Sequence, residues 1–231
     1  MRTTQLTPRL TQLTRLRAVN AYLVREDDGL TLVDALIPGG APALLRAAAA
    51  LGAPIRRIAL THGHGDHVGA LDALRRALGD AVEVLMPARD ARIVAGDRTL
   101  DPGEGTRRIR GSWPRVATRP DRTLAHGDRV GSLEVVAAPG HTPGHVALLD
   151  RRDGALLCGD AFQTLGGVAV AGQLAWRFPL PALATWDPAR ALESARALLA
   201  LQPTLLAPGH GRALPDPQAA MAAALDAAGR R

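Results

Sequence analysis

Three histidines and an aspartate lie close together in the first half of the chain, at a spacing suited to binding metal ions. The segment is Thr61-His62-Gly63-His64-Gly65-Asp66-His67, and it follows the apolar run of residues 58–60. His62 and His64 are two residues apart, so an extended backbone points both side chains the same way, towards one ion. Asp66 and His67 lie past the bend and would face elsewhere, towards a second ion.

Later motifs offer more donors of the same kinds. Each ends a predicted strand and opens a loop that contains glycine or proline. The three motifs are Pro139-Gly140-His141-Thr142-Pro143-Gly144-His145, Cys158-Gly159-Asp160-Ala161-Phe162 and Pro208-Gly209-His210-Gly211.

The elements that must position these loops follow from hydrophobic periodicity and turn residues. We predict strands at residues 18–24, 30–35, 55–60, 82–86, 133–138, 146–150, 155–158 and 204–207. Helices are predicted at residues 42–51, 67–78 and 87–95, and from Asp187, as the N-cap, to residue 201. Asp216-Pro217 is predicted to cap a final Ala-rich helix. Strands that end in ligand loops in both halves of the chain indicate an α/β protein.

Taken together, the motifs resemble those of the metallo-β-lactamase-fold hydrolase superfamily, whose signature is HxHxDH followed by His, Asp and His. The resemblance runs from about residue 20 to residue 211. It implies a four-layer αββα sandwich, and we expect residues 1–231 to form a single domain.

The resemblance also implies a role for each ligand. His62, His64 and His141 would bind one metal, Asp66, His67 and His210 a second, and Asp160 would bridge them. Two zinc ions are expected, with iron or manganese as alternatives. The implied reaction is attack by a bridging hydroxide on a carbonyl carbon, with Asp66 as the catalytic residue that passes a proton to the leaving group.

Other residues are expected to support the site rather than to bind metal. In the family, an aspartate at the position of Asp34 lies behind the histidine loop, which implies that it orients an imidazole; the alternative is an ordinary turn residue. His145 is expected to support the ligands. His126 is predicted to be a surface residue, and Cys158 an inert thiol in the core.

Two long stretches lack a regular pattern. Residues 96–122 are rich in Pro, Gly and Arg, and form either a solvated surface loop or a lid whose arginines meet an anionic substrate. Residues 163–186 are apolar and follow Asp160. We expect them to form a wall of the substrate pocket, with Gln163, Trp176 and Phe178 as substrate-binding residues.

Composition favours a soluble enzyme. The net charge of +6 comes from a chain without lysine, whose 28 basic residues are all Arg. Such diffuse charge does not indicate a nucleic-acid partner. One cysteine excludes an internal disulfide, and no stretch is predicted to be a signal peptide or a membrane span. We expect a cytoplasmic enzyme with a small-molecule substrate and no membrane partner. The oligomeric state stays open, a homodimer included.

Three departures from the family pattern argue against particular functions of the superfamily, namely β-lactam hydrolysis, glyoxalase II activity on glutathione thioesters and acyl-homoserine lactonase activity. True β-lactamases of this fold have Cys or Ser in place of Asp160. Glyoxalase II enzymes add a helical domain for glutathione, whereas only about twenty residues follow His210 here. Acyl-homoserine lactonases have Tyr near the position of Gln163.

We therefore expect a dinuclear zinc hydrolase that acts on an ester, thioester or lactone. The alternatives are a phosphodiesterase or nuclease of the same fold, and a mononuclear iron dioxygenase that acts on persulfides. A binding protein without activity is disfavoured because all seven ligand positions are intact.

Overall fold

The computed structural model describes residues 1–230 and contains two large β-sheets packed face to face. The first sheet has seven strands in chain order. These are β1 (Arg2–Gln5), β2 (Leu10–Arg15), β3 (Val19–Glu26), β4 (Gly29–Val33), β5 (Ile55–Ala59), β6 (Glu83–Pro87) and β7 (Arg122–Leu124). Strands β4 to β7 run parallel, and the N-terminal strands pair as antiparallel hairpins.

The second sheet has six strands, in the order β15-β14-β11-β10-β9-β8. Their bounds are β8 (Arg129–Val130), β9 (Leu133–Ala137), β10 (Val146–Asp150), β11 (Ala155–Gly159), β14 (Leu205–Pro208) and β15 (Leu214–Pro215). Between β11 and β14, the short strands β12 (Phe162–Gln163) and β13 (Ala169–Val170) pair separately.

Helices cover the outer face of each sheet. They are α1 (Ala41–Ala50), α2 (Gly65–Val68), α3 (Leu71–Leu78), α4 (Ala88–Val94), α5 (Leu180–Ala184), α6 (Pro188–Ala200) and α7 (Gln218–Gly229), with a 3₁₀ turn at Gly79–Ala81. No helix in the described residues is both long enough and apolar enough to cross a membrane.

Three apolar cores separate four layers. One core joins α1 and α3 to the first sheet through Leu44 and Leu74. A second lies between the sheets and includes Tyr22 and Leu148. The third joins α6 and α7 to the second sheet and includes Leu198. This is the predicted αββα sandwich, and it brings the loops after β5, β11 and β14 together.

The structure corrects three details of the predicted elements. The helix predicted at residues 67–78 is two helices, and between them Gly69 lies against Pro38 with no room for a β-carbon. Asp216 does not cap α7, since its backbone is left-handed (φ 46°) and no side chain caps that helix. The β1–β2 hairpin was not predicted, because its strands contain many polar residues.

Candidate metal centre

The first ligand loop starts where β5 ends and continues into α2. His64 has an extended backbone (φ −71°, ψ 153°) and precedes the helix, whereas Asp66 and His67 lie within it. This change of backbone conformation explains how a loop of a few residues serves two groups of donors. The remaining ligands come from the loop between β9 and β10 and from the ends of β11 and β14.

His62, His64 and His141 form one group of donors, which we call the imidazole cluster. One donor nitrogen from each ring lies within 4.8 Å of the others. His64 Nδ1 is 3.0 Å from His141 Nε2. All three side chains are buried. Three convergent imidazole nitrogens are a ligand set for one transition-metal ion.

Asp66, His67 and His210 form a second group, which we call the carboxylate cluster, and a third group, His62, His67 and Asp160, overlaps both. His210 Nε2 is 3.2 Å from Asp66 Oδ2. Asp160 lies between the clusters: its Oδ2 is 3.1 Å from His210 Nε2 and 3.4 Å from His141 Nε2. Its Oδ1 is 3.3 Å from His67 Nε2. A carboxylate in this position can serve ions at both clusters.

Each of the five imidazoles in the two clusters is fixed through one ring nitrogen, which leaves the other directed into the site. The anchoring contacts are Thr61 Oγ1 with His62 Nδ1 (3.0 Å), Arg110 O with His64 Nε2 (3.1 Å), Asp34 Oδ2 with His67 Nδ1 (2.7 Å), Thr185 Oγ1 with His141 Nδ1 (3.1 Å) and Ala18 O with His210 Nδ1 (3.1 Å). Such partners fix the tautomer and the ring orientation of a metal ligand.

Burial dominates the electrostatics of the imidazole cluster. It lowers the pKa of His62 and of His141 well below the ordinary value, and it also lowers the pKa of His64. Neighbouring imidazoles lower the pKa of His62 further. These rings are therefore neutral at pH 7, which is the form that binds a metal.

Carboxylates dominate the electrostatics of the carboxylate cluster. Burial would lower the pKa of His67, but Asp34, Asp160 and Asp66 outweigh it and raise that pKa well above the usual value. The same competition, with Asp160 prevailing, raises the pKa of His210 to about 10. Burial would raise the pKa of Asp66 and of Asp160, but the nearby imidazoles hold both pKa values below the usual range.

The buried atoms at the centre fit a pair of divalent cations. In the described part of the chain, His62 Nε2, His67 Nε2 and Asp160 Oδ1 are buried without a hydrogen-bond partner. Leaving such atoms unsatisfied is costly, and native proteins rarely do so without an unseen ion or water. Imidazole nitrogens and carboxylate oxygens that face one point are the donors that divalent transition metals take.

Asp34 and His145 contact ligand residues from behind. Asp34 accepts hydrogen bonds from the Thr61 backbone N–H (2.8 Å) and hydroxyl, besides contacting His67. His145 Nε2 accepts a hydrogen bond from the Asp160 N–H (3.0 Å). Burial lowers the pKa of His145 to about 4, so this ring is a neutral support.

Asp90 is a supporting residue that sequence reasoning missed. Its buried carboxylate accepts hydrogen bonds from Gly63 N (2.9 Å), Thr142 Oγ1 (2.7 Å) and Gly144 N (2.8 Å). It therefore ties the two loops that carry the imidazole cluster to the start of α4. Burial raises the pKa of Asp90 to about 6, although the three donors oppose that shift.

The loop that carries His210 is held by β3. Asn20 Nδ2 donates to Pro208 O (2.8 Å) and Gly211 O (2.7 Å), and the Tyr22 hydroxyl donates to Pro208 O (2.6 Å). These contacts are to backbone carbonyls, and Asn20 Oδ1 also accepts a hydrogen bond from Thr14 Oγ1 (2.9 Å). Their work is to fix the position of His210.

A cavity of about 580 Å³ opens beside the carboxylate cluster. Asp66, with its side chain 32% exposed, faces it, whereas the side chain of Asp160 is only 3% exposed. Phe178 lines the cavity, as predicted. Gln163 is buried and donates to Phe178 O (3.2 Å), so it supports Phe178 rather than lining the cavity.

The structure places Trp176, which was predicted to bind substrate, away from the cavity. It is 90% exposed and does not line the cavity. The backbone turns at Ala175–Phe178, closed by a hydrogen bond from Phe178 N to Ala175 O, and Trp176 stands in this turn, facing solvent. Leu180 and Leu183, 62% and 60% exposed, instead provide the apolar lining from this region.

The irregular segment of residues 96–122 contacts the metal centre directly. Arg110 O accepts a hydrogen bond from His64 Nε2, and Gly65 N donates to Ser112 O (2.9 Å). The Trp113 ring packs edge-on against His64 with centroids 4.9 Å apart. Gly111 approaches the His64 ring so closely that no β-carbon would fit. This segment therefore helps to position a ligand.

Comparison with known proteins agrees with this geometry. Residues 14–210 match the model of the metallo-beta-lactamase superfamily. The chain belongs to that superfamily.

Relatives of the chain include proteins with and without a described activity. The uncharacterized protein YobT of Bacillus subtilis is 43% identical over 95% of this chain and 94% of its own length. A hydroxyacylglutathione hydrolase of Rhodospirillum rubrum is 34% identical over 56% of this chain, but over only 42% of its own length. The solved structure of TTHA1623 in a di-iron-bound form is 32% identical, with a TM-score of 0.65 over 90% of this chain and 94% of its own.

Proposed function

We propose that this protein is a dinuclear metal-dependent hydrolase that cleaves the acyl C–O or C–S bond of an ester, thioester or lactone. The observation that carries the proposal is the set of five imidazoles, each anchored on one side and open on the other, around the shared carboxylate of Asp160. An apolar cavity adjoins that set.

The imidazole cluster would hold one ion, the carboxylate cluster a second, and Asp160 would serve both. Zinc suits this mixture of imidazole and carboxylate, with iron or manganese as alternatives. The di-iron-bound form of the relative TTHA1623 is evidence in favour of a two-ion site, and it favours iron as the alternative to zinc. When bound, such ions polarise a carbonyl oxygen and lower the pKa of water towards neutrality.

The protein's own groups divide the remaining work. Asp66 faces the cavity and is the carboxylate placed to pass a proton to a leaving group. Leu180, Leu183 and Phe178 offer apolar surface for an acyl chain or ring, worth about 25 cal/mol per Å² buried. Asp34, Thr185 and the backbone of Arg110 keep the imidazoles oriented.

The hydroxyacylglutathione hydrolases support an acyl compound as substrate. Their similarity covers less than half of their own length, so glutathione itself is not part of the proposal. We propose instead a small substrate with an apolar portion, and neither a nucleic acid nor a membrane as partner.

The test combines metal analysis with a substrate panel. The purified protein is loaded with Zn²⁺, and the metal content per chain is measured. Hydrophobic lactones and aryl esters should be hydrolysed at least tenfold better, by kcat/KM, than bis-nitrophenyl phosphate, a gap of about 1.4 kcal/mol. Lengthening the acyl group should raise kcat/KM until the cavity is filled.

A phosphodiesterase is the second candidate, because exposed arginines lie near the centre. Preferred cleavage of bis-nitrophenyl phosphate or single-stranded RNA would replace the first proposal with this one. A single iron per chain, together with oxygen consumption on a persulfide, would instead identify the dioxygenase alternative.

A further inference from the structure

A second cavity, of about 570 Å³, adjoins the cavity beside the carboxylate cluster and is lined by three arginines. Arg107, Arg108 and Arg110 contribute to its wall, together with Ile109 and Trp186. Gly111 and Leu183 line both cavities, so the two are contiguous. We call this space the arginine cavity.

The backbone that carries these arginines is fixed to the site. Arg107 O accepts a hydrogen bond from Trp186 Nε1 (3.0 Å), and Arg110 O accepts one from Trp113 Nε1 (2.6 Å). Arg110 O also anchors His64. The carbonyl groups thus hold the segment to the metal centre while the side chains stay exposed. Their distance from the reacting centre is set by these contacts.

The charge of the arginine cavity is unbalanced. Within residues 1–230, Arg107, Arg108 and Arg110 form no ion pair, and no carboxylate lines the cavity. Two arginines nearby in the chain behave differently: Arg89 pairs with Glu104, and Arg92 with Asp97 and Asp101. Three like charges held around one space attract an anion, and a guanidinium binds carboxylate, sulfonate or phosphate groups through two parallel hydrogen bonds.

We propose that the arginine cavity binds an anionic group of the substrate while the carbonyl lies at the metal centre. The inference rests on the proposed hydrolase function and deepens it. The preferred substrate is then an ester or thioester that combines an apolar portion with a carboxylate, sulfonate or phosphate several bonds from the reacting carbon. Leu183, which lines both cavities, would contact the apolar linker between them.

The kinetic test compares phenyl hexanoate with 4-sulfophenyl hexanoate, which differ only in the sulfonate. The double variant Arg107→Ala, Arg108→Ala should raise KM for the sulfonated ester about tenfold, with kcat within about twofold. KM for the neutral ester should stay within about twofold. The matched control, Arg115→Ala with Arg119→Ala, removes exposed arginines of the same segment that do not line the cavity, and should change neither. An equal change for both esters would overturn the proposal.

A binding measurement separates this proposal from the hydrolase function itself. Calorimetry on the Zn²⁺-loaded protein compares N-hexanoylsulfanilate with N-hexanoylaniline. The sulfonated amide should bind about tenfold more tightly, and the preference should disappear in the double variant and shrink at high salt. If the esters are hydrolysed without this preference, the arginine cavity is not a binding site. If the preference is present but no ester reacts, the hydrolase function fails and the anion site stands.

Discussion

The two halves of the metal centre are built from nearly equal numbers of donors but have opposite electrostatics. Burial keeps His62, His64 and His141 neutral. In the other half, Asp34, Asp160 and Asp66 raise the pKa of His67, and Asp160 and Asp66 raise the pKa of His210. One half is therefore ready to receive a cation near neutral pH, whereas the other holds protons in the metal-free protein.

Both halves offer imidazole ligands, but metal binding releases protons from one half and not from the other. A metal ion entering the imidazole cluster has no proton to displace, but in the carboxylate cluster it must displace protons from His67 and His210. Carboxylates compensate because their negative charge attracts the cation directly. Asp160 contacts both halves and couples them.

The largest effect is expected from Asp160→Asn, which removes the charge shared by the two halves. Activity should fall on the order of 10³-fold, about 4 kcal/mol of transition-state stabilisation. Metal content should drop from two ions per chain towards one, with an unchanged circular dichroism spectrum.

Asp150→Asn is the matched control for that variant. Asp150 is also a buried carboxylate of the second sheet, but it pairs with Arg152 away from the site. Asp150→Asn should lower the free energy of unfolding without loss of metal. If the Asp160 variant keeps both metals and near-normal turnover, Asp160 does not bridge the two halves.

Single histidine variants should affect one half at a time. His141→Ala should weaken the ion of the imidazole cluster, and His210→Ala that of the carboxylate cluster, each by about 10–100-fold or more in metal affinity. Stepwise Zn²⁺ titration against a chromophoric chelator measures both constants. Equal weakening of both steps in each variant would show that the division into two clusters is wrong.

The pH dependence of Zn²⁺ affinity should also separate the halves. A raised imidazole pKa means that protons must leave before the metal binds, so affinity at the carboxylate cluster should rise with pH from about 6.5 towards 10, by up to about tenfold per pH unit for each proton released. At the imidazole cluster, whose pKa values are lowered, affinity should be flat above about pH 6.5. Parallel slopes at both sites would contradict the assignment.

The sequence predicted those parts of the fold and site that depend on local pattern. The strand before His62 follows from short-range periodicity, and the Asp187 cap, whose Oδ1 accepts from Ala189 N and Arg190 N, follows from capping preference. The αββα order came from the resemblance to the superfamily. The ligand candidates were found because their motifs are dense in histidine and glycine.

What the sequence did not predict depends on contacts between distant segments. Asp90 reaches Gly144 across 54 positions, and Thr185 reaches His141 across 44. Neither residue stands in a motif of its own. Arg110 acts through a backbone carbonyl, which no residue type reveals. Trp176 was misplaced because an apolar residue in a turn looks the same in sequence whether it faces a pocket or solvent.

The smallest effect on metal affinity is expected from replacing the buried carboxylates that support the ligands of each half. Asp90 holds the loops of the imidazole cluster, and Asp34 contacts His67 in the carboxylate cluster. Asp90→Asn turns an amide donor towards groups that already donate, which should cost about 1–3 kcal/mol of stability. It should weaken the ion of the imidazole cluster several-fold. Asp34→Asn should act most on the other ion, through its direct contact with His67, and less on the ion of the imidazole cluster, through Thr61 and His62.

Asp72→Asn is the control for both variants. Asp72 also accepts hydrogen bonds from three donors, at Ala117 and Thr118, but it lies on α3 and contacts no ligand loop. Its loss should lower the free energy of unfolding without altering either Zn²⁺ constant. Chemical denaturation of the metal-free variants gives the free energies of unfolding, and Zn²⁺ titration gives the two metal affinities. If Asp90→Asn and Asp34→Asn weaken the two ions in the same proportion, the two halves do not have separate supports, because a single scaffold would then position both.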